Sequence, residues 1–218
     1  MSFQALRPVW GRRTVAYGAR GASAVLGYAQ GEATMERVPI YLLAGGESRR
    51  FGSEKARAVR GGVSLLTGLA TALEERATRL TAVARTPGQY ADLGLRTVAD
   101  LRPGMGPLGG LEAALLDLRP EEPWLLLCAC DVIGVRAGWV EDLVAGCCAG
   151  AKAVAFRGAR WEPLFALYHR SIAPLVGAQL DEGTLSMWRL LEEARAVALP
   201  LPEGWGSLRN ANRREDLE

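Results

Sequence analysis

Three short segments of the chain concentrate residues suited to a phosphorylated ligand. In Leu43-Ala-Gly-Gly-Glu-Ser-Arg-Arg-Phe-Gly-Ser-Glu-Lys55, Gly45 and Gly46 follow an apolar run. Glycines there let the backbone approach a ligand and offer N–H groups to phosphate oxygens. Arg50 and Lys55 add cationic charge for a polyphosphate. Asp131 ends a second, strongly apolar run, where a desolvated carboxylate could hold a divalent cation. A carboxylate completed by phosphate oxygens suits Mg²⁺. The third segment, Asp100-Leu-Arg-Pro-Gly-Met-Gly-Pro-Leu-Gly-Gly110, again sets an acid ahead of glycines. Lys55 is conspicuous for another reason: 24 of the 26 basic residues are arginine, and only Lys55 and Lys152 are lysine. Arginine usage of that kind reflects codon bias, whereas a lysine supplies a compact point charge where the fork of arginine would not serve.

Two familiar nucleotide motifs do not apply. Lys55 comes three residues after Gly52 rather than one, and alanine follows it, so the segment is not a Walker A loop. Gly104-Met-Gly-Pro-Leu-Gly109 matches G-x-G-x-x-G in letters, but Pro103 and Pro107 interrupt it and several residues separate it from the preceding strand. The strand–turn–helix geometry of a dinucleotide site is therefore not expected there.

The elements that must position these segments follow from apolar patterning. Val38–Ala44, Leu80–Ala84, Leu95–Val98 and Trp124–Cys128 read as strands, the last as the central one, and further strands are expected near 154–156, 164–168 and 196–199. Helical spacing marks a stretch through Leu65, Leu66, Leu69, Ala72 and Leu73 ending near Thr78. Others are Leu111–Leu118, opened by a turn at Pro107–Gly110, then 139–147, 172–180 and 185–194. Alternation of strand and helix predicts an α/β fold of three layers, with a mostly parallel sheet covered by helices on both faces. In such sheets ligands bind beyond the carboxyl ends of the strands, where all three segments fall.

Composition narrows the function classes. A net charge of +2 excludes a general polyanion binder, so no nucleic-acid partner is expected. No apolar run approaches the ~20 residues of a membrane helix, and no membrane partner is expected. Cys128, Cys130, Cys147 and Cys148 lack C-x-x-C spacing, and the single histidine, His169, offers no obvious fourth ligand. Buried free thiols in a reducing cytoplasm are expected rather than a zinc site. His169 is read as a strand end rather than a base, and Lys152 as a surface residue. Residues 1–34 are expected to be a start-site artefact or a loose tail outside a single domain of residues 35–218, with an organellar leader as the alternative. The first 37 residues contribute five arginines and two glutamates, leaving 21 basic and 22 acidic residues beyond them.

The motif Leu43-Ala-Gly-Gly-x-Ser-x-Arg-x-Gly-x-x-Lys-Ala56 resembles the nucleotide-binding signature of the molybdenum cofactor guanylyltransferases. The likeness continues through Asp100, Pro103-Gly-x-Gly-Pro-Leu-Gly-Gly-Leu111, Cys130-Asp131, Glu162-Pro-Leu-Phe-Ala-Leu-Tyr168 and Asn210-x-Asn-x-x-Glu-Asp-Leu217. Four departures stand out: Glu54 where aspartate is common, Ile133 in place of a proline, no proline after Asn212, and no asparagine in Ala82-Val-Ala-Arg85. The resemblance implies a Rossmann-like nucleotidyltransferase fold and Mg²⁺-dependent transfer of GMP from GTP to molybdopterin, with release of pyrophosphate. It implies that Leu43, Ala44, Gly45 and Gly46 contact the nucleotide and that Lys55 and Arg50 stabilise the polyphosphate. Asp100 would bind the guanine nucleotide and Asp131 Mg²⁺, while Glu162, Pro163, Asn210 and Asn212 would serve the acceptor. Molybdenum-insertion and molybdoenzyme maturation proteins would be its partners. The alternatives are a molybdopterin cytidylyltransferase, another NTP transferase, or a diverged nucleotide-binding paralogue without activity.

Overall fold

The computed structural model describes residues 35–45, 54–211 and 214–217. In chain order the strands and helices are β1 (Val38–Leu43), β2 (Val59–Arg60), β3 (Val63–Ser64), α1 (Leu65–Leu73), β4 (Ala77–Ala84), β5 (Arg96–Ala99) and α2 (Gly106–Leu116). They continue with β6 (Trp124–Ala129), β7 (Val132–Ile133), α3 (Gly138–Ala145), β8 (Ala153–Arg157) and β9 (Trp161–His169). The last are α4 (Ala173–Asp181), α5 (Met187–Glu193), β10 (Val197–Leu199) and β11 (Arg209–Asn210).

Seven strands form one sheet in the order β10-β8-β9-β6-β1-β4-β5. β9 runs antiparallel to β6 and β8, and the other pairs are parallel. The sheet is thus mostly parallel, with β6 at its centre as the patterning predicts. Side chains of β1 alternate between layers: Val38, Ile40 and Leu42 pack with α1 and α3, while Tyr41 packs with α2, α4 and α5. That alternation is the period of two expected of a strand buried on both faces. Pro39 has no N–H to give the ladder, and the β1–β4 register shifts between Val38 and Pro39. The chain leaves β1 for β4 and β5 on one side, then returns through α2 to β6 on the other. The carboxyl ends of β1 and β6 therefore flank the reversal point of the winding, where a ligand crevice is expected.

Two boundaries differ from the sequence expectation. α1 stops at Leu73, a single 3₁₀ turn follows over Glu74–Arg76, and β4 begins at Ala77 rather than Leu80. Pairing of Ala77 with Val38 decides this, because Ala-Thr-Arg-Leu carries no apolar pattern of its own. Pro107–Gly110 lies inside α2 instead of preceding it, with the proline in the first turn, where its missing N–H costs nothing. The glycines permit close packing: a Cβ on Gly110 would lie 2.5 Å from Leu43 Cδ2, and one on Gly109 would lie 3.1 Å from Asp100 Oδ1. Four small strands carry no signal in the sequence: the β2–β3 hairpin, turned by Gly61 and Gly62 at positive φ, and β7 paired with β11 across the β6 end, each only two residues long.

The amino end of the sheet holds a charged cluster. Arg79 donates to Glu122 (2.7 Å), to Asp117 (3.0 Å) and to the Tyr41 hydroxyl (2.7 Å), and Tyr41 in turn donates to Asp117 (2.7 Å). Burial pushes the Asp117 carboxyl up, but hydrogen bonds from Arg96 and Tyr41 and the nearby arginine charges outweigh it and hold it below the ordinary value. Glu122 is likewise raised by burial and lowered further by Arg79 and the Arg119 N–H. A carboxyl depressed in the folded state stabilises the fold fully above its unfolded value and loses that contribution as pH falls through the folded one. The melting temperature is therefore expected to fall steeply below about pH 4, where free carboxylates protonate. Thermal unfolding measured from pH 7 to 2.5 checks this, and a flat profile would contradict it.

Candidate active site

Lys55 and Asp131 come together at the carboxyl ends of β1 and β6. Lys55 begins a single 3₁₀ turn, Lys55–Arg57, whose Ala56 is buried beneath it. Asp131 stands in the turn between β6 and β7. Its backbone is fixed from both sides: the Cys130 N–H bonds Leu43 O at 3.1 Å, and the Ala211 N–H bonds Asp131 O at 2.9 Å. Across 76 positions of sequence, Lys55 Nζ donates to Asp131 Oδ2 at 2.8 Å. The side chains are 18% and 25% exposed, open enough to meet a ligand and shielded enough for charge to count.

The other expected residues distribute around this pair. Leu43 ends β1, and the Ala44 and Gly45 N–H groups both bond Val83 O at 2.9 Å. These two donors are thus engaged with the sheet. Gly46, Arg50 and Asn212 lie outside the described residues, as do residues 1–34. Asp100 follows β5; its N–H bonds Ala84 O at 2.7 Å, and its Oδ1 accepts from the Arg102 N–H at 3.0 Å. Burial raises its carboxyl above the usual range, and the Arg102 N–H offsets only part of that. β9 runs antiparallel to β6 with Phe165 opposite Cys128, so Glu162 and Pro163, at its start, fall at the carboxyl end of β6. Burial raises the Glu162 carboxyl, and Pro163 O accepts from the Tyr168 hydroxyl at 2.8 Å. The backbone of Asn210 pairs with Val132 in the β11–β7 ladder, which delivers the C-terminal segment to Asp131. Trp205, packed among Trp139, Phe156 and Phe165, anchors that segment upstream.

Sequence reasoning missed the residues around Lys55. Glu54 Oε1 accepts from the Tyr90 hydroxyl at 2.6 Å and from the Gln89 side chain, and its Oε2 accepts from Arg57 Nε at 3.0 Å. Burial raises the Glu54 carboxyl, but these hydrogen bonds outweigh it and hold it below the ordinary value. Gln89 and Tyr90 sit in a polar connection between β4 and β5, and no periodicity marks them.

The remaining candidates behave as bland residues. His169 closes β9 with its ring bonded to Ser171, and Lys152 is exposed. None of the four cysteines is in a disulfide; Cys128 and Cys130 are buried, whereas Cys148 is exposed. Burial and the neighbouring Asp131 push the Cys130 thiol up to about 12, which leaves it protonated and no nucleophile. Among the described residues no group of three or more metal-ligating side chains occurs, and no helix is long and apolar enough to cross a membrane. A cation at Asp131 would take one carboxylate from this part of the chain and the rest of its shell from substrate oxygens and water. That donor set suits Mg²⁺, which keeps waters and substrate phosphates as ligands.

Comparison with known proteins agrees with this geometry. Residues 40–197 match the model of the MobA-like NTP transferase domain. A Deinococcus radiodurans protein named "probable molybdenum cofactor guanylyltransferase" is 37% identical over 178 residues, covering 81% of this chain and 90% of its own. A molybdenum cofactor guanylyltransferase of Serratia proteamaculans is 30% identical over 184 residues, covering 83% and 92%. The crystal structure of molybdopterin-guanine dinucleotide biosynthesis protein A from Archaeoglobus fulgidus superposes with a TM-score of 0.65 at 26% identity, covering 75% of this chain and 83% of that one. With the matched region running from β1 into β10 and the paired Lys55 and Asp131 inside it, the chain belongs to the MobA-like NTP transferase family and is a nucleotidyltransferase.

Proposed function

We propose that the protein, acting through residues 35–218 as one domain in the cytoplasm, transfers GMP from GTP to molybdopterin and releases pyrophosphate. The observation that carries this reading is the 2.8 Å contact of Lys55 with Asp131 at the reversal point of the sheet. A cation-binding carboxylate and a phosphate-binding cation there share one small space. The names of the Deinococcus and Serratia relatives support the guanine donor and the molybdenum cofactor as acceptor.

In the reaction, an oxygen of the terminal phosphate of molybdopterin attacks the α-phosphorus of GTP in line. The bond from that phosphorus to the β-bridging oxygen breaks, and pyrophosphate departs with the electron pair. The attacking phosphate is already anionic, so no side chain need remove a proton from it. Catalysis rests on positioning and charge neutralisation, as in phosphoryl transfer generally. Leu43, Ala44, Gly45 and Gly46 border the nucleotide with backbone groups. Lys55 and Arg50 neutralise charge gathering on the polyphosphate and its leaving group. Asp100 binds the guanine nucleotide. Asp131 holds Mg²⁺, which when bound supplies Lewis-acid charge to the phosphate oxygens. Glu162, Pro163, Asn210 and Asn212 form the acceptor side. Molybdenum-insertion and molybdoenzyme maturation proteins receive the product.

GTP and CTP turnover, measured side by side with the molybdenum cofactor and Mg²⁺, tests the assignment. Preferential GTP use with formation of the guanine dinucleotide is expected. A clear CTP preference would instead make the protein a cytidylyltransferase.

A further inference from the structure

A buried phenol from another part of the chain bonds Glu54, the residue next to Lys55. The turn that begins with Lys55 is one 3₁₀ turn, too short to hold itself, and the Glu54 side chain makes no capping bond to it. Glu54 instead reaches across 36 positions to Tyr90, whose hydroxyl lies 2.6 Å from Glu54 Oε1 and 3.2 Å from Ala44 O. A phenol has one proton for two acceptors, and the shorter, charge-assisted contact to Glu54 takes it. Tyr90 is fully buried and rigidly mounted: its N–H bonds Thr97 Oγ1 at 3.2 Å, and its carbonyl accepts from the N–H groups of Leu93 (3.0 Å) and Leu95 (3.2 Å). Arg57, at the other end of the turn, clamps onto the same connection. It forks onto Asp92 at 2.6 and 2.9 Å, bonds Gln89 O at 2.8 Å and lies 5.2 Å from the Tyr90 ring centroid.

Both ends of the short Lys55 turn are therefore fastened to the β4–β5 connection, and Lys55 emerges between the fastenings toward Asp131. A lysine stem has four rotatable carbons, so a fixed base is what turns its charge into a directed one. We propose that Tyr90, through Glu54, is a positioning residue that pre-organises the Lys55 ammonium for the nucleotide polyphosphate. The inference rests on the reading of Lys55 as a polyphosphate contact and adds a role for a residue outside the expected site residues.

The test is a double-mutant cycle on nucleotide affinity, measured by calorimetry with GTP and with CTP in the presence of Mg²⁺. Tyr90→Phe keeps the buried ring and deletes only the hydroxyl. It is expected to weaken binding about five- to tenfold in the wild-type background, the size of one ordinary hydrogen bond. In the Lys55→Ala background the same change is expected to weaken binding less than twofold, since no ammonium remains to be positioned. Glu54→Ala should reproduce the loss and add little to Tyr90→Phe. Equal losses in both backgrounds would overturn the inference, because Tyr90 would then act on stability or on the ligand independently of Lys55. Absence of loss in the wild-type background would overturn it as well. Binding of CTP in preference to GTP would refute the guanine assignment alone, and the cycle would then be read with CTP.

Discussion

Asp131→Asn is expected to lower the rate of nucleotidyl transfer by on the order of 10²- to 10³-fold, the usual effect of removing one electrostatic stabiliser of a transition state. Asparagine matches aspartate in shape but brings no charge. The proposed divalent cation would lose its carboxylate ligand, and Lys55 would lose the anion 2.8 Å away. The fold should tolerate the change. The side chain is a quarter exposed, and the Asp131 carbonyl that accepts the Ala211 N–H is untouched. Initial rates together with thermal unfolding separate the two effects: a large loss of rate with a melting temperature within a few degrees of wild type is expected. A rate within tenfold of wild type would remove Asp131 from its proposed metal role.

The second large effect concerns stability, at the opposite end of the sheet. Arg79→Met is expected to destabilise the protein by about 3 kcal/mol, as when one partner of a buried ionic group is removed. The Arg79, Asp117 and Glu122 side chains are each more than four-fifths shielded from solvent, so losing the guanidinium leaves two shielded carboxylates compensated only in part, by Arg96 beside Asp117 and Arg119 near Glu122. The Tyr41 hydroxyl also loses its donor from Arg79. For a domain of this size the melting temperature should drop by roughly 6–12 °C. The variant should also lose part of the steep acid dependence expected of the wild type. Arg79 pairs with Pro39 near the start of β1, four residues before the strand end that reaches Lys55 and Asp131, so nucleotide affinity at low temperature should be preserved. A melting temperature within 2 °C of wild type would show that the cluster contributes nothing net.

The two predictions mark where the sequence is informative and where it is silent. The layers were legible because strands buried on both faces read as continuous apolar runs, as β1 and β6 do, while a covering helix repeats at helical spacing, as α1 does. Lys55 and Asp131 were legible as types beyond strand ends, since one of only two lysines among 24 arginines and an acid after Leu-Leu-Leu-Cys-Ala-Cys are chemically pointed. Their mutual contact was not, because it depends on β1 and β6 lying side by side, a matter of winding order. Tyr90 and Gln89 were invisible for a related reason. Their partner Glu54 is 36 and 35 positions away, and a tyrosine in a turn-rich connection looks like any other. The β7–β11 pair was equally hidden: two-residue strands carry no period, and this one forms only because the C-terminal segment is brought back by the packing of Trp205. Glu54, seen in sequence as a mild exchange for aspartate, acquires a physical meaning here, since its carboxylate reaches the Tyr90 hydroxyl.

The most direct measurement follows the α-phosphate. GTP labelled at the α-phosphorus is incubated with molybdopterin, Mg²⁺ and the protein, and the products are separated and counted. The label is expected in a guanine–pterin dinucleotide, with an equal amount of unlabelled pyrophosphate released and both products formed on the order of 10²- to 10³-fold more slowly by Asp131→Asn. Label retained in GDP, with the γ-phosphate transferred to the acceptor, would contradict nucleotidyl transfer to molybdopterin at the site of Lys55 and Asp131.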